Sequence, residues 1–245
     1  MISSFLRFAL PIFVLLMGRN VADAGIAEDL VVLHLDAIGG RAVVDDLKAV
    51  HKKGYNQFGE RRIPIEIWSA YPDLIRIETR LSETTTLIQG FNGHEAWQVR
   101  VVDGQVRPES MSPDEERQFV DEAWFRGPLV DAELRGFELD YSGISTIGQD
   151  RGFLIRVNRN GELWCEVLLA DDTYQIAAKR LEPVIRGRKV KVLQQYSDFQ
   201  PVAGVWLPHR VEMVQDEHLS VITVYESMDG NPELGEGFFE APGKR

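Results

Sequence analysis

The chain has 245 residues, 44% of them hydrophobic, which is enough to bury a substantial core in one or two domains. Its 38 acidic and 27 basic residues give a formal net charge of −11. This charge argues against a nucleic-acid-binding protein, which needs a basic surface, and against attraction to anionic lipid headgroups. The single cysteine, Cys165, excludes an internal disulfide and a zinc site built from several thiolates.

Residues 1–24 have the three parts of a cleavable secretory signal. Arg7 precedes an apolar run, Phe8–Met17, that is too short to span a bilayer as a mature helix. A small-x-small pattern, Ala22-Asp23-Ala24, then marks a cleavage site, and the next residue is Gly25 rather than a lipid-modified cysteine. We therefore expect a mature domain of residues 25–245, exported without a lipid anchor. The absence of N-x-[ST] glycosylation acceptors favours a bacterial periplasm.

Two helices are predicted before the first strand. Apolar residues in Ile26–Ile38 recur with helical spacing, and Gly39-Gly40 ends the stripe. A second, short helix is expected over Arg41–Leu47.

From Val50 onward the apolar residues recur every second position, which is typical of half-buried antiparallel strands. The clearest examples are centred on Ile63–Ile67, Ile75–Thr79 and Trp97–Val101. Further strands are predicted at Phe137–Tyr141, Phe153–Arg159, Glu162–Leu169, Ile176–Leu181, Val190–Tyr196, Leu207–Val214 and Leu219–Tyr225. Asp140–Gly143 is interpreted as a turn, and the tail from Asn231 as loosely ordered.

One helix interrupts the strands, over Pro113–Arg126. Ser112 and Glu115 form a capping box, Pro113 takes the first helical position, and Gly127-Pro128 should end the helix.

The pattern as a whole predicts a mainly β protein with a few helices. We expect a curved antiparallel sheet or open barrel of about eleven strands.

The sequence contains no recognisable catalytic machinery. The five histidines lack metal-ligand spacing, and neither a nucleophile elbow nor a phosphate-binding loop occurs. Cys165 alternates with apolar strand residues and is interpreted as a buried small side chain. We expect a protein that is not an enzyme and needs no cofactor or metal.

Four stretches in order resemble the LolA/LolB-like superfamily of exported, outer-membrane lipoprotein-sorting proteins. They are His34–Arg41 (HLDAIGGR), Gly90–Trp97 (GFNGHEAW), Asp121–Asp131 (DEAWFRGPLVD), and Tyr196–Phe199 (YSDF) with Gly204–His209 (GVWLPH). The resemblance implies one domain, an incomplete antiparallel β-barrel covered on its concave side by helices. It also implies a concave apolar surface that holds acyl chains or another lipid moiety.

The most consistent function is that of a periplasmic carrier of lipid or lipoprotein acyl chains, a monomer that exchanges cargo with membrane-associated donor and acceptor proteins. The alternatives are a lipid-sensing or protein-interaction module on the same scaffold and, less favoured, a secreted hydrolase. Strand alternation nominates an inward apolar face of Ile63, Ile65, Ile67, Ile75, Ile77, Trp97 and Val99. The inserted helix nominates a lid of Phe119, Trp124, Phe125 and Leu129.

The signal assignment predicts that exported protein begins at Gly25, because signal cleavage follows small residues at Ala22 and Ala24. N-terminal sequencing of protein recovered from the periplasm checks this. Recovery of Met1 in the exported fraction would contradict the prediction.

Overall fold

The computed structural model describes residues 21–185 and 187–242, with the backbone alone for residues 21–24. The predicted signal run, Phe8–Met17, therefore lies outside the described residues. The described residues form three helices, α1 Val21–Ala37, α2 Arg41–Asp46 and α3 Pro113–Glu122, together with the 3₁₀-helix Glu133–Arg135. The strands are β1 Ala49–Phe58, β2 Arg61–Ala70, β3 Leu74–Arg80, β4 Thr85–Phe91, β5 Ala96–Val102, β6 Gln105–Glu109, β7 Phe137–Ile147, β8 Asp150–Arg159, β9 Glu162–Ala170, β10 Ile176–Leu181, β11 Val184–Ile185, β12 Arg188–Lys189, β13 Val192–Val202, β14 Val205–Gln215 and β15 His218–Gly230.

Thirteen strands form one antiparallel sheet in the order β6-β5-β4-β3-β2-β1-β15-β14-β13-β10-β9-β8-β7. The pairing of β1 with β15 joins the N-terminal and C-terminal meanders into one continuous surface. Within the described residues β6 and β7 stay unpaired at the two edges, so the sheet is an open barrel, as expected. The sheet has thirteen strands, more than the eleven or so that the sequence predicts. Strands β11 and β12 form a separate small hairpin.

The helices cover one face of the sheet, here called the inner face. On α1, Leu30 packs among β8 and β9 residues such as Ile155 and Val167. On α3, Phe119 packs against Ile75 and Phe91. Burying these apolar stripes fixes both helices on the sheet.

Helix α3 begins as predicted but ends four residues early. The Ser112 hydroxyl accepts from the Glu115 backbone N–H, and the Glu115 carboxylate accepts from the Ser112 N–H, which completes the capping box. After Glu122 the chain makes tight turns, and Gly127 takes a φ of 80°. The prediction of helix to Arg126 was wrong because the aromatic residues after Glu122 continue the apolar stripe without being helical.

Two loop assignments were also wrong. Asp140–Gly143 lies inside β7, where the register shifts between Tyr141 and Ile144, so the glycine marks a β-bulge rather than a turn. The tail beyond Asn231 docks on the outer face of the sheet. There the Phe239 carbonyl accepts from Trp97 Nε1 at 2.8 Å, and Phe239 is only 8% exposed.

The docked tail predicts that Phe239→Ala lowers the free energy of unfolding by about 3 kcal/mol, because a buried aromatic ring is lost. Urea denaturation measures the change, and Phe58→Ala, at a 44% exposed position, is the matched control with little effect. Equal effects of the two variants would contradict the docking of the tail.

Candidate ligand-binding cavity

A cavity of about 350 Å³ lies between the inner face of the sheet and residues 121–128, here called the lid segment. This volume falls within the roughly 300–1,000 Å³ range of small-molecule sites. The lid segment begins with the last two residues of α3 and, after Glu122, crosses the sheet without regular secondary structure. The open sheet therefore has a chamber under a short cover rather than a fully packed core.

One wall of the cavity is apolar. Ile65 and Ile67 on β2 and Ile77 on β3 point inward, and Ile67 pairs directly with Ile77 across the two strands. From the lid segment, Trp124 and Phe125 face the same space. These five residues are the part of the predicted apolar surface that lines the cavity.

The lid segment is anchored at its start by Asp121. Its carboxylate pairs with Arg159 at 3.0 Å and accepts from Trp164 Nε1 at 3.1 Å. Beside it, the Trp124 ring packs on Phe137 and Trp164, with centroids 4.9 and 5.6 Å apart. Trp124 therefore joins the lid to strands β7 and β9 while facing the cavity.

The other end of the lid segment is anchored by Arg126, whose side chain is only 4% exposed. Its guanidinium donates to the carbonyl oxygens of Asp45 and Leu47 at 3.2 and 2.9 Å. It also lies 3.5 Å from the Asp131 carboxylate and 4.4 Å from the Tyr71 ring centroid. These contacts fix the lid to the loop that follows α2.

Beside the apolar wall, the central strands add polar side chains to the lining, here called the polar wall, together with the apolar Val211 and Met213. The sequence reasoning did not anticipate these polar residues. Lys52 on β1 and Lys179 on β10 line the polar wall, together with Asn56, Gln194, Tyr196, Thr223 and Tyr225. Glu122, the last residue of α3, faces these side chains from the lid side. The cavity is thus amphipathic, with an apolar wall on β2 and β3 and a polar wall on the central strands.

Burial perturbs the titration of several of these groups. It lowers the pKa of Lys52 to about 8, against a smaller opposing effect of Glu122. For Lys179, burial also acts to lower the pKa, but the surrounding acidic groups, Tyr196 and Glu122 among them, raise it above its ordinary value. Burial raises the pKa of the Tyr196 and Tyr225 phenols. At neutral pH both lysines are cations and both tyrosines are neutral.

His34 is a further polar residue at the cavity, on α1. It is 3% exposed, and its Nδ1 bonds the Tyr174 carbonyl oxygen at 2.9 Å. Burial lowers its pKa, with a smaller opposing effect of that hydrogen bond, so the ring is neutral at pH 7. Its role in this structure is to tie α1 to the loop before β10.

The other nominated residues do not line the cavity. Trp97 and Val99 lie on the outer face, because Gly90 and Ile88, their partners on β4, point away from the inward Gln89. The indole of Trp97 covers Gly90, where an added Cβ would lie 2.1 Å from the ring. Placing these two residues on the inner face was wrong, since alternation within one strand does not say which face is inward.

The remaining nominated residues lie in the packed core or at its border. Ile75 and Phe119 pack with each other, and Leu129, 1% exposed, belongs to the core beside α1. Ile63 shares the inner face with Ile65 and pairs with the cavity-lining Asn56, but it does not itself line the cavity. Phe119 is therefore an anchor of α3 in the core.

The described residues contain no cluster of three or more His, Cys, Asp or Glu side chains placed to hold a metal ion. Cys165 is 1% exposed, and burial raises the pKa of its thiol to about 12, so the thiolate is not populated near neutral pH. In residues 21–185 and 187–242, no helix has the length and hydropathy needed to span a bilayer.

No protein-family model and no curated protein matches the chain. Solved structures do match, over nearly all of it. A DUF1329 family protein from Desulfovibrio piger has a TM-score of 0.60 at 11% identity, covering 89% of this chain and 97% of that one. A domain from Vibrio parahaemolyticus, described as a putative outer membrane lipoprotein-sorting protein domain, has a TM-score of 0.56 at 10% identity. The match covers 87% of this chain and 97% of that one. A LolA superfamily protein from Nitrosomonas europaea has a TM-score of 0.55 at 12% identity, and the match covers 88% of this chain and 97% of that one.

The chain has a LolA-like fold. The resemblance drawn from the four sequence stretches is thereby confirmed at the level of architecture. In this LolA-like domain, the Gly90–Trp97 stretch forms the β4–β5 hairpin, where the Asn92 carboxamide oxygen accepts from the backbone N–H of His94 and Glu95. The Asp121–Asp131 stretch contains the whole lid segment and both of its anchors.

The different surroundings of Phe119 and Trp124 predict different consequences of truncation. Phe119→Ala should cost about 3–5 kcal/mol of stability, because Phe119 fills the core. Trp124→Ala should cost less stability but weaken binding of a fluorescent acyl probe, because this ring lines the cavity. Paired measurements of melting temperature and probe affinity check this. A large stability loss for Trp124→Ala with unchanged affinity would contradict a lid.

Proposed function

We propose that this LolA-like domain is a periplasmic, non-enzymatic binding protein that carries a lipid or a lipoprotein acyl chain in its inner cavity. The observation that carries the proposal is the apolar wall of Ile65, Ile67 and Ile77, left unfilled beneath Trp124 and Phe125. The naming of one structural relative as a lipoprotein-sorting protein supports the same function. The sequence features of a secretory signal support export.

The driving force for binding is the removal of acyl-chain surface from water. Each buried methylene contributes about 0.8 kcal/mol, so ten would contribute roughly 8 kcal/mol before the cost of ordering the ligand. That amount suits a carrier, since it permits extraction from a membrane and also release. Exchange with membrane-associated donor and acceptor proteins would then set the direction of transfer.

We expect the ligand to enter the cavity when the lid segment moves outward. It has no regular secondary structure between α3 and the 3₁₀-helix, and its two anchors are polar contacts, at Asp121 and Arg126, rather than a long apolar stripe. Outward movement of Trp124 and Phe125 would open the apolar wall beneath them to a ligand. The sheet itself can stay rigid during loading.

Filling the cavity should abolish binding without unfolding the protein. We expect Ile67→Trp to weaken binding of the neutral probe N-phenyl-1-naphthylamine by at least about tenfold, since an indole would occupy the apolar wall. Ile144→Trp, at a 55% exposed position on β7, is the matched control and should bind the probe like the unmodified protein. Probe fluorescence measures affinity, and thermal unfolding confirms that both variants fold.

Failure of the unmodified protein to bind the probe would overturn the proposal, as would equal effects of the two tryptophan variants. The carrier role is tested separately, by transfer of a fluorescent phospholipid between two vesicle populations. Transfer should be faster with the unmodified protein than with Ile67→Trp. No acceleration over vesicles alone would contradict a carrier.

A further inference from the structure

The polar wall of the cavity contains a cation with no ionic or hydrogen-bonding partner among the described residues. Lys52 lies in the middle of β1, with its side chain on the inner face and its Nζ 5.2 Å from the Tyr225 ring centroid. Across residues 21–185 and 187–242, its ammonium forms no ion pair or hydrogen bond that would neutralise it. The next residue, Lys53, points to the outer face and lies 3.8 Å from the Glu66 carboxylate.

The charges around the cavity do not balance. Asp121 is already paired with Arg159, and Arg126 is already paired with Asp131. This leaves the ammonium groups of Lys52 and Lys179 facing the single carboxylate of Glu122, in a protein whose formal net charge is −11. The excess positive charge is thus local to this cavity.

An unpaired ammonium in a half-buried cavity is unfavourable, because burial removes part of its hydration. The lowered pKa of Lys52, about 8, has the same cause. An apolar side chain of similar length would fill the position without this cost. A ligand that brings a negative charge would offset it.

The position of Lys52 also connects the two walls. In the sheet register, Lys52 pairs with Ile67, and Ile67 pairs with Ile77. Neighbouring strands lie about 4.8 Å apart, so one cross-strand row leads from an ammonium to two apolar side chains within about 10 Å. This row matches a molecule whose charged head is joined directly to an acyl chain.

We propose that the ligand is an amphiphile with an anionic head group, a carboxylate or a phosphate, held by Lys52 while its chain lies against Ile67 and Ile77. Lys179 adds a second positive charge to the same cavity. The inference rests on the proposed function and specifies the chemical class of its cargo. Glu122, facing both lysines, disfavours a head group with more negative charge than the two ammonium groups offset.

The test is displacement of bound N-phenyl-1-naphthylamine by compounds that share a dodecyl chain. Laurate and dodecyl phosphate should displace the probe at concentrations about tenfold lower than dodecanol does, because only they bring an anion to Lys52. Lys52→Met should remove that advantage, measured within each variant as the ratio of the laurate and dodecanol concentrations that displace half of the bound probe. Lys53→Met removes the same charge from the outer face and is the matched control, which should keep the advantage.

The pH dependence gives a second readout. Glu122 and Tyr225 face Lys52. As the pH rises from about 7 to about 9.5, Tyr225 stays neutral, Lys179 on the same polar wall stays charged, and laurate stays ionised. Only Lys52 loses its proton in this window. The affinity for laurate should therefore fall with rising pH in the unmodified protein, and the affinity for dodecanol should not. In Lys52→Met the fall should be absent.

Each outcome decides the inference. Equal displacement by laurate and dodecanol, or an unchanged laurate advantage in Lys52→Met, overturns the anionic head group while probe binding still supports the proposed function. Displacement of the probe by inorganic phosphate alone would show a site for free anions and also overturn it. Absence of probe binding in the unmodified protein would overturn both proposals together.

Discussion

The structure depends on one constraint: an open antiparallel sheet of thirteen strands has an inner face too large for its helices to cover. Helices α1 and α3 bury their apolar stripes against the two ends of this face, at Leu30 and Phe119. The middle is left to the lid segment, whose aromatic residues Trp124 and Phe125 line the cavity. Close packing is the usual state of a protein interior, so an amphipathic chamber at this place indicates a site for a ligand.

The lid is held by polar contacts at its ends and by one aromatic cluster between them. Arg126 and Asp121 fix the two ends through carbonyl, carboxylate and indole partners on elements that belong to the rigid frame. Such contacts are directional, and they can be exchanged for water when the lid moves. The lysines on the polar wall lie on β1 and β10, inside the sheet, so they keep their positions whether the lid is open or closed.

Much of this architecture could be predicted from the sequence, because alternation and turn residues are local signals. Ile65 and Ile67 are two residues apart on one strand, and this spacing alone places them on the same face of the sheet. The face of Trp97 could not be predicted, since it depends on strand pairing and on a tail more than a hundred residues away that covers it. Lys52 was missed for a related reason. Its neighbour Lys53 has the same charge, and only the register of β1 shows which of the two points into the cavity.

The most direct test of this account is a crystal structure with ω-bromododecanoate, in which anomalous scattering locates the bromine and density locates the carboxylate. The account predicts the carboxylate within hydrogen-bonding distance of Lys52 Nζ and the bromine on the inner face, among Ile65, Ile67 and Ile77. Bromine on the outer face, or a closed cavity without bound ligand at saturating concentration, would contradict it.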